Sequence, residues 1–284
     1  MGDIQSITVL GAGTMGHGIA HVAALSGYAV QLFDLDQGAL DKGLEHINKA
    51  MQKGVDKGKL ESEDMQEALS RLQVSNDFES ATANADLVIE AVPENLELKS
   101  KIFAQLDAAL SADVILASNT SSISLTKIAQ ACKHPERCIG MHFFNPPHIL
   151  KLLEIVQAEQ TSPQVLEAVR QVGEKMHRHI VVVKDSPGFA SSRLGLALGL
   201  EAIRMLEQGV ASAEDIDRAM EKGYNHPMGP LKLTDLVGLD VRLGIAETLY
   251  KELGAPQFAP PQLLKDMVAA GKLGKKSGEG FYRW

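Results

Sequence analysis

The chain has 284 residues, 45% of them hydrophobic and 23% charged, with a formal net charge of −8. That length suits one large domain or two ordinary ones with a sizeable core. The acidic balance argues against general nucleic-acid binding, which needs a basic face, but leaves room for a local basic pocket around a phosphorylated small molecule. Two cysteines, Cys132 and Cys138, read as thiols of a reducing cytosol rather than a disulfide framework. Their spacing of six matches no common metal motif.

No cationic stretch followed by an apolar run opens the sequence, so no signal or transit peptide is expected. The longest mostly apolar segment, 194–206, is interrupted by Glu201 and Arg204 and reads as a buried helix too short to cross a bilayer. A cytoplasmic protein without membrane contact is the expectation.

In chain order, residues 4–10 form a β-branched apolar run ending in Gly11. A helical pattern follows over about 14–26, with Gly27 as its stop, then a second apolar run at 29–33 ending in Asp34. Strand, glycine-rich turn, helix and strand make a βαβ unit. Residues 37–72 are polar and helix-favouring, as in a long helical hairpin inserted after the second strand. Buried strands are predicted at 86–92 and 114–117 with a helix between them, then at 138–141 and 150–156. A helix over 162–177 has Ser162 as N-cap and Pro163 at its first position. Residues 180–183 are a short closing strand. After Lys184 the strand patterns stop and helical ones dominate. The predicted fold is α/β, a doubly wound sheet with a helical insertion over 1–184, followed by an all-α domain over 185–284.

Gly11-Ala12-Gly13-Thr14-Met15-Gly16 is a G-x-G-x-x-G between a strand and a helix, the context in which that motif binds a dinucleotide. Gly11 permits the tight turn, Gly13 admits a pyrophosphate to the backbone, and Gly16 lets helix and strand approach. The helix N-terminus offers free N–H groups to the phosphates. Asp34 stands where a carboxylate bonds the adenosine ribose and repels a 2′-phosphate, favouring NAD over NADP, with Asp36 as a rival.

His142, just beyond a predicted strand, is a candidate base; a lone histidine among nine is more often structural, but its place at a strand's carboxyl end favours function. Glu154 lies in an apolar strand where a buried carboxylate needs a partner, and His142 is a candidate for it. The alternative is an edge strand with Glu154 in solvent. Ser121 follows the 114–117 strand and reads either as turn chemistry or as a hydroxyl that bonds a substrate oxygen. Asn145 is a similar small polar candidate. Lys53 and Lys57 share one face if helical, a solvated basic face or a clamp for an anionic handle.

Together these pieces resemble the L-3-hydroxyacyl-CoA dehydrogenase family over nearly the whole chain. The carriers are Gly-Ala-Gly-Thr-Met-Gly at 11–16, Val-Ile-Glu-Ala at 88–91 with Glu94-Asn95, Ala-Ser-Asn-Thr-Ser-Ser at 117–122 and Gly-Met-His-Phe-Phe-Asn-Pro at 140–146. Pro-Gly-Phe at 187–189, His-Pro-Met-Gly-Pro at 226–230, Asp-Leu-Val-Gly-Leu-Asp at 235–240 and the 274–282 segment complete them. The resemblance implies a Rossmann domain, a homodimer made by the helical domain, NAD as cofactor and a short 3-hydroxyacyl-CoA as substrate. It implies His142 as base, Glu154 as its orienting partner, and Ser121 with Asn145 around the substrate oxygen and nicotinamide. Glu94, Lys99 and Lys276 match positions lining the NAD site; Lys57, and more weakly Lys53, a position that contacts CoA. Ser192 stands where the family often has asparagine, and its shorter side chain weakens the substrate contact implied there. Two other readings stay open: a dehydrogenase of a free β-hydroxy acid, and a non-catalytic nucleotide-binding protein.

Overall fold

The computed structural model describes residues 3–284, which divide into two compact units, one ending at Ser186 and the other running from Pro187 to Trp284. The first unit opens with β1 (Ser6–Leu10), α1 (Gly16–Leu25) and β2 (Ala29–Phe33), the expected βαβ unit. Gly11 adopts φ 100°, a left-handed conformation that favours glycine, and its N–H donates to Phe33 O at 2.7 Å. A Cβ on Gly16 would lie 1.6 Å from Gly11 O, so only glycine lets α1 start this close to β1.

The polar insertion is a helical pair, α2 (Gln37–Asp56) and α3 (Ser62–Ser70). Asp36 is the N-cap of α2, with its side chain accepting from Gly38 N at 2.8 Å. Two short elements follow that the sequence pattern did not reveal: β3 (Leu72–Ser75) and α4 (Phe78–Thr82). β3 is only four residues long and half-buried, so it lacks a strong apolar signal.

Next come β4 (Leu87–Glu90), α5 (Leu96–Ala109), β5 (Ile115–Ser118) and the short α6 (Leu125–Ala129). β6 (Cys138–Phe143), β7 (Leu152–Gln157), α7 (Pro163–Lys175) and β8 (His179–Lys184) complete the unit. The sheet order is β3-β2-β1-β4-β5-β6-β7-β8. All pairings are parallel except β6 with β7. The strand order reverses between β1 and β4, the switch point at which doubly wound sheets hold ligands. Fully buried aliphatic residues such as Ile7, Val9, Ile19, Leu32, Leu87 and Ile89 pack strands against helices, each contributing roughly 1.5–3 kcal/mol.

The second unit is helical: α8 (Ser191–Glu207), α9 (Ala213–Gly223), α10 (Pro230–Val237), α11 (Leu239–Leu253) and α12 (Gln262–Ala269). Two buried aspartates tie its chain together. Asp217 accepts from Leu231 N at 2.8 Å and Tyr282 OH at 2.8 Å; Asp235 accepts from Phe281 N, Tyr282 N and Trp284 Nε1, each at 2.9 Å. No helix among the described residues is long and apolar enough to cross a membrane.

Candidate active site

The site is built at the carboxyl edge of the parallel strands. His142 lies within β6, not beyond its end as the sequence suggested, because the strand runs two residues further than its apolar core. The reversal into β7 brings Glu154 directly opposite His142 in the antiparallel register. His142 Nδ1 is 2.9 Å from Glu154 Oε2. A carboxylate only accepts, so Nδ1 carries the proton of this bond. Glu154 is 1% exposed, and β7 is paired on both sides, which rules out the solvent-facing edge-strand alternative. The Phe144 ring packs 4.6 Å from the imidazole, between ring centres.

A second polar network supports the neighbouring loop. Glu90, at the end of β4, is 0% exposed and accepts from Lys99 Nζ at 2.6 Å, Ser118 Oγ at 2.6 Å and Val92 N at 2.7 Å. Lys99 is 1% exposed, and its Nζ also reaches Glu94 Oε2 at 3.4 Å. Glu94 Oε1 accepts from Thr120 Oγ1 at 2.5 Å, Ser121 N at 3.0 Å, and Ser122 N and Oγ at 3.1 and 3.0 Å. Burial works against its ionisation, but the hydrogen bond from Thr120, the charge of Lys99 and the bonds from Ser122 and Ser121 outweigh it and hold the carboxyl below its ordinary range. Glu94 therefore latches the loop that carries Ser121. Asn119 Oδ1 accepts from Phe143 N at 2.9 Å, tying that loop to the strand of the histidine.

A cavity of about 350 Å³ lies here, lined among others by Met15, Ala91, Glu94, Lys99, Asn119, Ser121, His142 and Asn145. The structure thus brings together His142, Ser121, Asn145, Glu94, Lys99 and the glycine turn. Asn145 sits in the loop after β6, before a cis bond to Pro146.

The residues at the turn fit a dinucleotide. A Cβ on Gly13 would meet no protein atom within 4 Å, so nothing in the protein requires glycine there, whereas a pyrophosphate held against the backbone would. Thr14 and Met15 lead into α1, with Met15 as its N-cap residue. Asp34 Oδ2 accepts from Ala12 N at 2.8 Å and Oδ1 from Asp36 N at 3.0 Å, which aims its carboxylate along the turn. Asp36 instead caps α2, its Oδ1 accepting from Gly38 N at 2.8 Å.

The remaining candidates belong to other elements. Lys53 is exposed in the last turn of α2, and Lys57 is the residue that caps that helix rather than a member of it. Lys276 belongs to the helical unit, where its Nζ pairs with Asp240 Oδ2 at 2.6 Å. Ser192 is in the first turn of α8.

Sequence reasoning missed Glu90, Ser118, Asn119 and the loop-latching work of Glu94. Glu90 carried the same signal as Glu154, a carboxylate inside an apolar strand. It also missed a histidine cluster on the turn's helix. His17 Nδ1 contacts Gly13 O at 2.7 Å, His17 and His46 rings are 5.0 Å apart, and His21 stacks on His148 at 5.2 Å. Burial, then the neighbouring His148 and His17, pushes the His21 imidazole down from 6.5 to about 4. The unfolded chain therefore binds this proton near pH 6.5, the folded one only near pH 4. Stability is full above that window and falls as pH drops through it, by at most about 3 kcal/mol. Urea unfolding between pH 7 and 4.5 checks this: His21→Asn is expected to flatten the decline relative to wild type.

A glycine turn at the switch point, an aspartate at the end of the next strand and a buried histidine–carboxylate pair on the same sheet edge define a nicotinamide-dinucleotide dehydrogenase. The chain belongs to the 3-hydroxyacyl-CoA dehydrogenase family: residues 6–186 match the model of its NAD binding domain and 188–284 that of its C-terminal domain. It is 43% identical to a probable 3-hydroxybutyryl-CoA dehydrogenase of Bacillus subtilis, over 99% of this chain and 97% of that one. It is 42% identical to a 3-hydroxybutyryl-CoA dehydrogenase of Mycobacterium tuberculosis, over 99% of both chains. The crystal structure of (S)-3-hydroxybutyryl-CoA dehydrogenase from Ralstonia eutropha superposes with a TM-score of 0.96 at 41% identity, covering 99% of each chain.

Proposed function

We propose that this protein oxidises the C3 hydroxyl of a short L-3-hydroxyacyl-CoA, such as 3-hydroxybutyryl-CoA, to the ketone with NAD, and catalyses the reverse reduction. The observation that carries this reading is the 2.9 Å His142–Glu154 pair in a cavity shared with Met15 of the glycine turn. Bound along that turn, NAD supplies the acceptor for the hydride leaving C3. His142 Nε2 takes the hydroxyl proton. Glu154 holds the ring in the required tautomer and stabilises the imidazolium that forms. Ser121 and Asn145 hold the substrate oxygen and the nicotinamide side of the cavity. Glu94 and Lys99 shape the cofactor side, and Lys276 is assigned to it as well. Lys57 and Lys53 offer positive charge to the CoA phosphates, and Ser192 is a further substrate contact.

The unit ending at Ser186 is the NAD-binding domain in this reading, and the helical unit serves substrate binding and homodimer formation. Exposed apolar residues in the helical unit, among them Leu194, Val241 and Tyr250, support a dimer through it. The two free thiols fit a cytoplasmic location.

NADH consumption with acetoacetyl-CoA against free acetoacetate tests the substrate. Turnover with the thioester and little with the acid is expected; efficient turnover of acetoacetate overturns the CoA reading. In the same assay NADH is preferred over NADPH, and Asp34→Ala narrows that preference by about fivefold or more, since a carboxylate facing a 2′-phosphate costs roughly 1 kcal/mol or more.

A further inference from the structure

Cys132 and Cys138 have no part in the proposed reaction, yet their sulfurs lie 3.6 Å apart. Cys138 opens β6 and is fully buried; Cys132, beyond α6, is only partly so. The Cys138 thiol donates to the Cys132 sulfur, and the Cys132 thiol points to Phe103 O at 3.6 Å. The residues between them are pinned independently. Lys133 N and His134 N donate to Asp107 at 2.6 and 3.3 Å, and Arg137 Nη2 bonds Asp107 Oδ1 at 2.8 Å. The two sulfurs are therefore held face to face by hydrogen bonds that do not involve them.

The pair is also asymmetric. The hydrogen bond from Cys138 is the main cause that lowers the ionisation point of Cys132; burial and Asp107 oppose it and Arg137 assists. The same bond, together with burial, keeps Cys138 protonated. One sulfur is the accessible nucleophile and the other a shielded reserve beside it. A disulfide bond near 2.0 Å requires the sulfurs to approach by only about 1.5 Å.

We propose that Cys132 and Cys138 are a reversible dithiol–disulfide couple oxidised by low-molecular-weight disulfides. The Cys132 thiolate attacks one sulfur of oxidised glutathione, forming a mixed disulfide and releasing one glutathione thiolate. Cys138 then attacks the Cys132 sulfur and expels the second glutathione, which leaves as the thiol with the Cys138 proton. The two protein thiols lose two electrons in total, and the glutathione disulfide gains them.

The test uses the reduced full chain, oxidised glutathione as the probe, an iodoacetamide quench and intact mass. Wild type is expected to lose both free thiols and two hydrogen masses together, with reversal by dithiothreitol. Trypsin without reductant should then leave peptide 128–133 linked to 138–151, although Lys133 and Arg137 are cleaved between them. Cys138→Ser should stop at one glutathione on Cys132, and Cys132→Ser should stay unmodified. A lasting glutathione adduct on wild type, or no change at all, overturns the couple. So does a Cys132→Ser chain that takes glutathione on Cys138. Because Cys138 is fully buried, its serine variant could fail to fold; the wild-type peptide map then decides alone.

Discussion

Replacing His142 by glutamine is expected to lower kcat by about 10²- to 10⁴-fold, the span that a positioned general base contributes. Glutamine fills similar space and can still bond Glu154 Oε2, now 2.9 Å from the imidazole Nδ1. It cannot take a proton, so the loss reports chemistry rather than packing. NAD binding, measured by quenching of NADH fluorescence, should change little, because the glycine turn and Asp34 belong to other elements. Glu154→Gln should also lose most of kcat, by a smaller factor: an amide oxygen can still orient Nδ1–H but carries no charge to stabilise the imidazolium. Near wild-type turnover in purified His142→Gln would sink the proposed mechanism.

That pair also shows how far the sequence could be read. The βαβ unit, its glycines and Asp34 were legible because each step is local: a strand end, a positive φ, a helix start. His142 and Glu154 were legible as polar groups in apolar contexts, and as candidate partners of each other, but with a solvent-facing Glu154 left open. What joined them was the antiparallel return from β6 to β7, and register between strands is a long-range property that no local pattern encodes. β3 was missed because four half-buried residues leave no clear period, and α4 and α6 because five-residue helices do the same. Lys99 shows a different limit. Its family position suggested a cofactor contact, but composition gave no sign that the ammonium would be buried against Glu90.

Lys99→Met is expected to destabilise the sheet unit by roughly 3–5 kcal/mol, because it leaves Glu90 as a buried charge without its cation. The remaining donors to Glu90, Ser118 Oγ and Val92 N, are neutral and cannot replace that charge. For a unit of this size the unfolding midpoint should drop on the order of 6–20 °C, as read by calorimetry. Glu90→Gln/Lys99→Met should recover much of the loss, since removing both charges removes the desolvation cost along with the attraction. A double-mutant cycle separates the two contributions. Function should split from stability in the same variants. Glu94 keeps its bonds from Thr120, Ser121 and Ser122 without Lys99, but loses the nearby positive charge that helps keep it ionised. The loop bearing Ser121 is then held less firmly, and KM for the acyl-CoA should rise even at temperatures where the double variant is fully folded. If single and double variants unfold alike, the buried pair is not what anchors this corner of the site.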